Sequence, residues 1–236
     1  MCGAFGTLGV VTEFTLRVLP RPARESTVVL RHCRPEAGLA ALIRAAQIPV
    51  EATGLAYLPG EALRRLDSAN STSPGQALIR VDGSSAAIAE KIEVLKQEFR
   101  HMDLAILGDV ETRILFRRIG DGVAFGAEGD LWRLHLPAAA AAPVMVMLGD
   151  LLWLADWAGG LVWLQMPATT ESAAELRRIT AEFGGHASLF RAPAEARRQI
   201  PVFEPEPPAR ANLTKAVKQA FDPKNLFNPG RMFEYL

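Results

Sequence analysis

Apolar and polar residues alternate along this chain in two rhythms, one typical of strands and the other typical of amphipathic helices. Residues 10–18 alternate strictly, with Val10, Phe14 and Val18 on the apolar side, which predicts a half-buried strand. Pro20 and Pro22 follow this segment. Because proline removes a ladder donor and favours an extended path, these two residues predict the end of the strand and a domain boundary.

The first half of the chain after this boundary predicts a strand–helix–strand order that occurs twice. Strands are predicted at 26–31, 51–58, 76–81 and 104–107. Apolar residues at helical spacing predict a first helix on Leu39, Leu42, Ile43 and Ala46, and a second helix over 85–99.

The second half predicts a similar order of elements. Its predicted elements are a strand at 131–136, an alanine-rich helix interrupted by Pro143, a hairpin at 151–157 and 161–166, a helix with Leu176, Ile179 and Phe183 inward, and a strand at 187–190. This alternation predicts an α+β fold with a ferredoxin-like antiparallel sheet and helices on one face. No short-period repeat occurs in the sequence, so duplication of the β-α-β units stays an open alternative.

Residues 144–166 are apolar enough to resemble a membrane span. Asp150, Asp156 and the Gly159-Gly160 pair interrupt them, and each carboxylate at mid-membrane would cost about 2.5–3.5 kcal/mol. The stretch is therefore predicted to be a buried helix end that runs into a hairpin, with no transmembrane segment.

Prolines accumulate between residues 191 and 208, which makes a regular helix or central strand unexpected there. A final helix is predicted to begin near Asn212 and to end before Pro223. Its predicted apolar stripe comprises Leu213, Ala216, Val217, Ala220 and Phe221.

Composition and charge narrow the classes of function. The 236 residues are 49% hydrophobic, and 26 basic residues balance 26 acidic ones, so no net positive field would attract nucleic acid. Cys2, Cys33 and the four histidines lack metal-site or redox spacing, so no metal site is predicted. The start of the chain lacks a secretion signal, and a cytoplasmic location is expected.

Both ends of the chain carry residues suited to unusual backbone geometry. Gly3, Gly6 and Gly9 would let the backbone approach a ligand, although such glycines also occur in bulges and tight turns. Asn228-Pro229-Gly230 predicts a type II turn with Arg231 beside it, which could equally be an ordered terminal turn.

Three further residues have side chains that could take part in proton transfer or bind a carboxylate. His186 follows Gly184-Gly185 at a predicted strand entrance and could act as a base or hydrogen-bond partner. Arg133 and Arg191 could clamp a carboxylate in bidentate fashion. The competing interpretations are a structural histidine and salt-bridged or solvated arginines.

These segments together resemble the FAD-linked oxidase family, the flavoproteins of the vanillyl-alcohol-oxidase and PCMH type. The likeness within it is greatest to FAD-binding subunits of bacterial glycolate oxidases. It is carried by residues 3–12, 131–134, 159–160, 184–191 and 222–231. The resemblance implies that the following residues contact FAD: Gly3, Gly6, Thr7, Gly9, Val10, Val11, Asn228 and Arg231.

The resemblance also implies an organisation of the chain. Residues 1–22 would be the last part of a PCMH-type FAD-binding domain, 23–205 a ferredoxin-like cap or substrate domain, and 206–236 a helix and tail that return to the FAD domain. The glycine-rich nucleotide loops expected upstream are not in this sequence. The chain is therefore expected to be N-terminally truncated and to bind little FAD alone.

In its full-length form such a protein would oxidise a 2-hydroxy acid, with flavin as the hydride acceptor. The implied partners are a second flavin subunit and an iron–sulfur subunit, through which the protein could lie peripherally at the inner membrane. No His-Gly-Asp-Gly-Asn motif of the larger catalytic subunits occurs here. A non-catalytic binding or assembly module is therefore the main alternative, and an RNA-binding ferredoxin-like domain is a weaker one.

Overall fold

A computed structural model describes residues 2–18, 20–66 and 73–235, and its centre is an eight-stranded sheet whose pairings are all antiparallel. The strands are β1 Arg24–Leu30, β2 Gly54–Pro59, β3 Gly75–Gly83, β4 Leu104–Leu107, β5 Leu131–His135, β6 Leu152–Asp156, β7 Leu161–Gln165 and β8 His186–Arg191. The helices are α1 Pro35–Gln47, α2 Gly60–Leu66, α3 Ser85–Glu98, α4 Asp109–Gly120, α5 Ala141–Leu148, α6 Thr170–Glu182, α7 Ala194–Gln199 and α8 Pro208–Phe221.

The sheet consists of two ferredoxin-like units joined edge to edge. Its strand order is β4-β1-β3-β2-β6-β7-β5-β8, so the first four strands follow the ferredoxin-like order and the last four repeat it in reverse. The two units meet where β2 pairs with β6, at Tyr57 and Ala155. The structure thus confirms the α+β fold and the antiparallel sheet, and it favours duplication of the unit.

Helices cover the two faces of the sheet unequally. Side chains of α1, α3, α5 and α6 pack with Val28 and Leu30 in the larger core cluster, on what we call the first face. Alternate residues such as Val29 point to the second face, where α2 and α4 contribute to a smaller cluster. Helices were expected on one face, and α2 and α4 add a second, partial layer to that arrangement.

The structure also contains elements that the hydrophobic pattern did not predict. In α4, the Glu111 side chain accepts the Gly108 backbone N–H, which satisfies one of the free donors at the helix start. The last helix begins at Pro208, earlier than the predicted start near Asn212, and α7 forms inside the proline-rich segment. Proline at the first turn of a helix loses no intrahelical bond, which explains why Pro208 begins α8.

The predicted strand at residues 10–18 was wrong for this structure. None of these residues lies in a strand, and Val10, Phe14 and Val18 are 72%, 72% and 80% exposed. A strand requires a neighbour for its backbone hydrogen bonds, and no strand in the described part of the chain pairs with this segment. Its alternating side chains therefore remain uncovered.

The apolar stretch at 144–166 forms the end of α5 followed by the β6–β7 hairpin, as predicted. The connection between the strands includes Gly159, which has a φ of +100°. A Cβ at this position would lie 2.8 Å from the Ala138 carbonyl oxygen, so the turn needs glycine there. Across the described ranges, none of the helices has the length and apolar character needed to span a bilayer.

Candidate functional site

The two ends of the chain meet at a buried lysine. Lys218 lies on α8 and is only 5% exposed. Its Nζ donates to the Asp222 carboxylate, to the Thr7 carbonyl and to the Phe227 carbonyl, each at 2.7 Å. An ammonium group has three N–H donors, so each has an acceptor. Lys218 therefore joins the glycine-rich N-terminal segment to the C-terminal tail.

Asp222 organises the same junction from the acceptor side. Besides Lys218, it accepts the backbone N–H groups of Leu226 at 3.0 Å and Phe227 at 2.8 Å. Burial of the carboxyl group acts to raise its pKa, but these hydrogen bonds and the lysine charge outweigh burial and lower the pKa of Asp222 to about 2. Asp222 is therefore ionised at neutral pH.

A second contact between the ends involves Gly6 and Asn228. The Asn228 Nδ2 donates to the Phe5 carbonyl at 3.0 Å. Gly6 has a φ of +73°, and a Cβ at this position would lie 2.8 Å from Asn228 Nδ2. Thr7 is 2% exposed and its hydroxyl donates to the Ala4 carbonyl at 2.7 Å. The N-terminal loop is thus shaped to accept the tail.

The turn predicted at Asn228-Pro229-Gly230 is present. The Arg231 N–H donates to the Asn228 carbonyl at 3.2 Å, and Gly230 has the positive φ, +71°, that a type II turn requires. The Arg231 side chain is exposed, and we find no hydrogen-bond or ion-pair partner for it among residues 2–18, 20–66 and 73–235. The turn therefore presents an available guanidinium group.

The structure brings only part of the predicted cofactor set together. Gly6, Thr7 and Asn228 meet at the junction around Lys218. Val10 and Val11 are 72% and 53% exposed and lie outside these contacts. Gly3 and Gly9 have φ values of +82° and +158°, in agreement with their predicted conformational role. Their contact with FAD stays a prediction.

A second group of candidate residues lies on the second face of the sheet. His135 and His186 are directly paired across β5 and β8, and their rings stack with centroids 4.9 Å apart. Arg133 shares this face of β5, with its guanidinium carbon 6.0 Å from the Trp157 ring and 5.8 Å from the Trp163 ring. The structure thus brings together His186 and Arg133.

The chemistry of this group has two unusual features. Arg133 Nε is buried and has no hydrogen-bond partner among the described residues. Burial, with smaller contributions from the positive charges of Arg133 and His186, lowers the pKa of His135. His135 was not predicted from the sequence, because it has neither the preceding glycine pair of His186 nor a metal-like spacing to another histidine. Its alternation with Arg133 along β5 was the available signal.

Arg191 has a different environment from Arg133. Its guanidinium donates to the carbonyls of Gly126 at 2.7 Å, Glu128 at 3.0 Å and Gly129 at 3.0 Å. Three of its five donors are therefore engaged with one loop. These contacts favour a structural role for Arg191, and a substrate carboxylate would have to compete with them.

The terminal junction and the histidine pair lie toward the same edge of the sheet. The Leu189 N–H of β8 donates to the Val202 carbonyl at 2.9 Å, so the segment after α7 runs beside the edge strand. The next residue, Phe203, contacts the Phe5 ring at 5.2 Å. A continuous path of contacts thus links β8 to the glycine-rich segment.

Comparison with known protein families finds one matching segment. Residues 202–232 match the family described as FAD linked oxidases, C-terminal domain. This segment contains Lys218, Asp222, Asn228 and Arg231, which form or adjoin the terminal junction.

The whole chain is also similar to a curated protein, the glycolate oxidase subunit GlcE of Escherichia coli (strain K12). The two are 29% identical over 236 residues, which is 100% of this chain and 57% of the relative. The chain thus spans a little over half the length of that relative.

Solved structures show the same fold. A 4-ethylphenol oxidase from Gulosibacter chungangensis has a TM-score of 0.61 at 13% identity, over 92% of this chain and 55% of the oxidase. A p-cresol methylhydroxylase also has a TM-score of 0.61, at 15% identity, over 91% of this chain and 53% of that protein. The solved structures show the fold, and the two sequence matches confirm the resemblance to the FAD-linked oxidases that the short motifs of this chain predicted.

Proposed function

We propose that this chain is the cap and C-terminal portion of an FAD-dependent oxidoreductase that acts on a 2-hydroxy acid of the glycolate type. The observation that carries this proposal is the buried Lys218 junction, which holds Gly6, Thr7 and Asn228 beside one another. In this proposal the junction forms one wall of the FAD site.

The residues at the junction are suited to a nucleotide with phosphate groups. Gly3 has a positive φ and open space where a Cβ would lie, so a ligand can approach its backbone, whereas the corresponding space at Gly6 is filled by Asn228. Arg231 is exposed beside the type II turn and could pair with a phosphate. Bound FAD would supply the hydride acceptor, which no side chain of this protein can replace.

The residues Arg133, His135 and His186, on the second face of the sheet, would bind the substrate. Arg133 is the better candidate for the carboxylate, because its guanidinium makes no hydrogen bond with the described residues, whereas Arg191 already holds a loop. His186 would hydrogen-bond the substrate hydroxyl and accept its proton. His135 stacks on His186, and its lowered pKa favours a neutral ring beside the proposed base.

Flavin retention tests the proposal. We expect the chain alone to bind little FAD, and a chimera that joins it to the unmatched part of the E. coli relative to retain FAD during purification. In that chimera, Asn228→Ala should weaken FAD binding at least about tenfold, the effect of losing roughly 1.4 kcal/mol.

The matched control for this test is Lys224→Ala, which changes an exposed residue of the same tail. Circular dichroism of both variants would verify that they fold. A folded chimera that never retains flavin, or an equal loss in both variants, would contradict the proposed FAD wall.

A non-catalytic assembly module is the alternative function, and one observation favours it. The apolar stripe of α8 faces solvent, with Leu213, Val217 and Phe221 66%, 38% and 59% exposed. Such a stripe is suited to burial against another protein. We also propose that the partners are a second flavin subunit and an iron–sulfur subunit. The proposed location is cytoplasmic or peripheral at the inner membrane. A chimera that assembles with such subunits but contains no flavin would favour the module.

A further inference from the structure

A cavity of about 830 Å³ lies between α4 and the second face of the sheet. Its walls come from both ferredoxin-like units, because Arg80 of β3 and Trp163 of β7 both line it. Cavities of this size are typical of small-molecule sites. Trp163 also contacts Arg133, so the cavity adjoins the histidine and arginine group on the same face of the sheet.

One acidic side chain in the cavity, Glu25, is already paired with arginines. Glu25 lies 3.8 Å from Arg80 Nη1 and 3.6 Å from Arg113 Nη1. Arg113 is engaged further with Asp109, to which its Nε and Nη2 both donate. Arg80 Nη2 donates to a backbone carbonyl, but its Nε is buried without a partner in the described ranges. This Nε is enclosed by protein atoms, so Arg80 contributes its positive charge to the cavity rather than a donor that a ligand could reach.

Two further arginines leave the cavity with an excess of positive charge. Arg21 and Arg117 line it and are exposed, and neither makes a side-chain hydrogen bond or ion pair with the residues that the structure describes. Asp156 also lines the cavity, and burial raises its pKa more than the Trp157 N–H and the Arg80 charge lower it. Arg191 and Asp121 complete the charged lining, so five arginines and three carboxyl groups line the cavity, which favours an anion.

The remaining wall is apolar and aromatic. Trp163 and Phe190 meet edge to face with centroids 4.8 Å apart, and Phe116 lies beneath the Arg80 guanidinium at 4.5 Å. Phe190 and Ile114 are 61% and 55% exposed at this site, which is costly in water unless a ligand covers them. Aromatic rings such as these stack well on a flat apolar group.

We propose that this cavity binds a monocarboxylate with an apolar, ring-containing body. Arg117 and Arg21 supply the donors that bind the carboxylate, and the Arg80 charge adds to the attraction. Trp163 and Phe190 contact the ring. A carboxylate without an apolar body, such as glycolate, would leave the aromatic wall uncovered and bind more weakly.

Isothermal titration calorimetry on the chain, without flavin, tests this proposal. The probes are 1-naphthylacetate, its neutral isostere 1-naphthylacetamide, and glycolate. We expect 1-naphthylacetate to bind at least about tenfold more tightly than either of the other two, which is a difference of roughly 1.4 kcal/mol or more. No binding of 1-naphthylacetate at millimolar concentration, or equal binding of the acid and the amide, overturns the proposal.

Two variants locate the site. Arg117→Gln and Trp163→Leu should each weaken 1-naphthylacetate binding at least about tenfold. The matched control is Arg118→Gln, since Arg118 is also exposed on α4 but does not line the cavity. Equal losses in the Arg117 and Arg118 variants would overturn the proposal, and Arg21→Gln provides a second test on another segment. These outcomes are independent of FAD retention by the chimera.

Discussion

At the scale of single residues, Lys218 is the group on which the arrangement of both termini depends. Removing one member of a buried ion pair leaves the other charged and unpaired, which costs about 3–5 kcal/mol. We expect Lys218→Met to lower the free energy of unfolding by about this amount in urea denaturation. Lys224→Met, which removes an exposed lysine of the tail, should have little effect. Equal effects would contradict the role of Lys218.

Asp222 should make stability depend on acid pH. Its pKa is about 2 in the folded protein, against an ordinary value of 3.8, so its contribution is complete above the ordinary value and disappears as the pH falls toward 2. We expect Tm to fall across this window, and Asp222→Asn to flatten the profile there. Asp150→Asn, at an exposed site, should keep the slope of the parent protein.

Alanine variants of Gly6 and Gly3 would distinguish the cost of backbone strain from the cost of a steric clash. Both have positive φ, but a Cβ on Gly6 would lie 2.8 Å from Asn228, whereas a Cβ on Gly3 would meet nothing within 4 Å. We expect each alanine variant to lose about 1–2 kcal/mol from the left-handed conformation. Gly6→Ala should lose more, and denaturation curves of the two variants would measure the difference.

At the scale of elements, α8 has an inverted arrangement of polar and apolar faces. The apolar stripe predicted from its sequence is exposed, whereas Lys218 is buried. Helical periodicity identifies which side chains share a face, but it does not reveal what that face contacts. The same pattern in α6 is buried at Leu176 and Ile179.

This contrast between the two helices predicts different costs of substitution. We expect Leu213→Lys on α8 to change the free energy of unfolding by less than about 0.5 kcal/mol, as at other surface sites. Leu176→Ala on α6 removes a fully buried side chain and should cost about 2–5 kcal/mol. Chemical denaturation compares the two, and a large loss in Leu213→Lys would show that the stripe is covered.

At the scale of the whole molecule, the two ferredoxin-like units share one core. The larger cluster contains Leu42 and Ile79 of the first unit together with Leu134 and Leu176 of the second. Tyr57 and Trp153 contact each other across the β2–β6 boundary, with centroids 5.5 Å apart. A continuous core of this kind should make unfolding of one unit expose the other.

We therefore expect one cooperative unfolding transition, with equal calorimetric and van't Hoff enthalpies in differential scanning calorimetry. Leu176→Ala, in the second unit, should move the whole transition to lower temperature. Two resolved transitions, with only one shifted by this variant, would show that the units unfold separately.

The sequence by itself determined the local elements of this protein. Most of the predicted strands and helices formed near the expected residues, and the turn at Asn228-Pro229-Gly230 formed as well. These features depend on side-chain periodicity and on the backbone preferences of glycine and proline, which act over a few residues. The resemblance to the FAD-linked oxidases likewise came from short motifs.

Only the tertiary structure decided which distant residues meet. Lys218 donates a hydrogen bond to Thr7, which is distant from it in sequence. Strand pairing stacks His135 on His186, and the Arg191 guanidinium donates to carbonyl groups of a loop. Residues 10–18 have the alternating pattern of a strand but form none, because alternation alone supplies no neighbouring strand for their backbone hydrogen bonds. Long-range contacts depend on how the sheet and helices assemble, and local periodicity carries no information about that assembly.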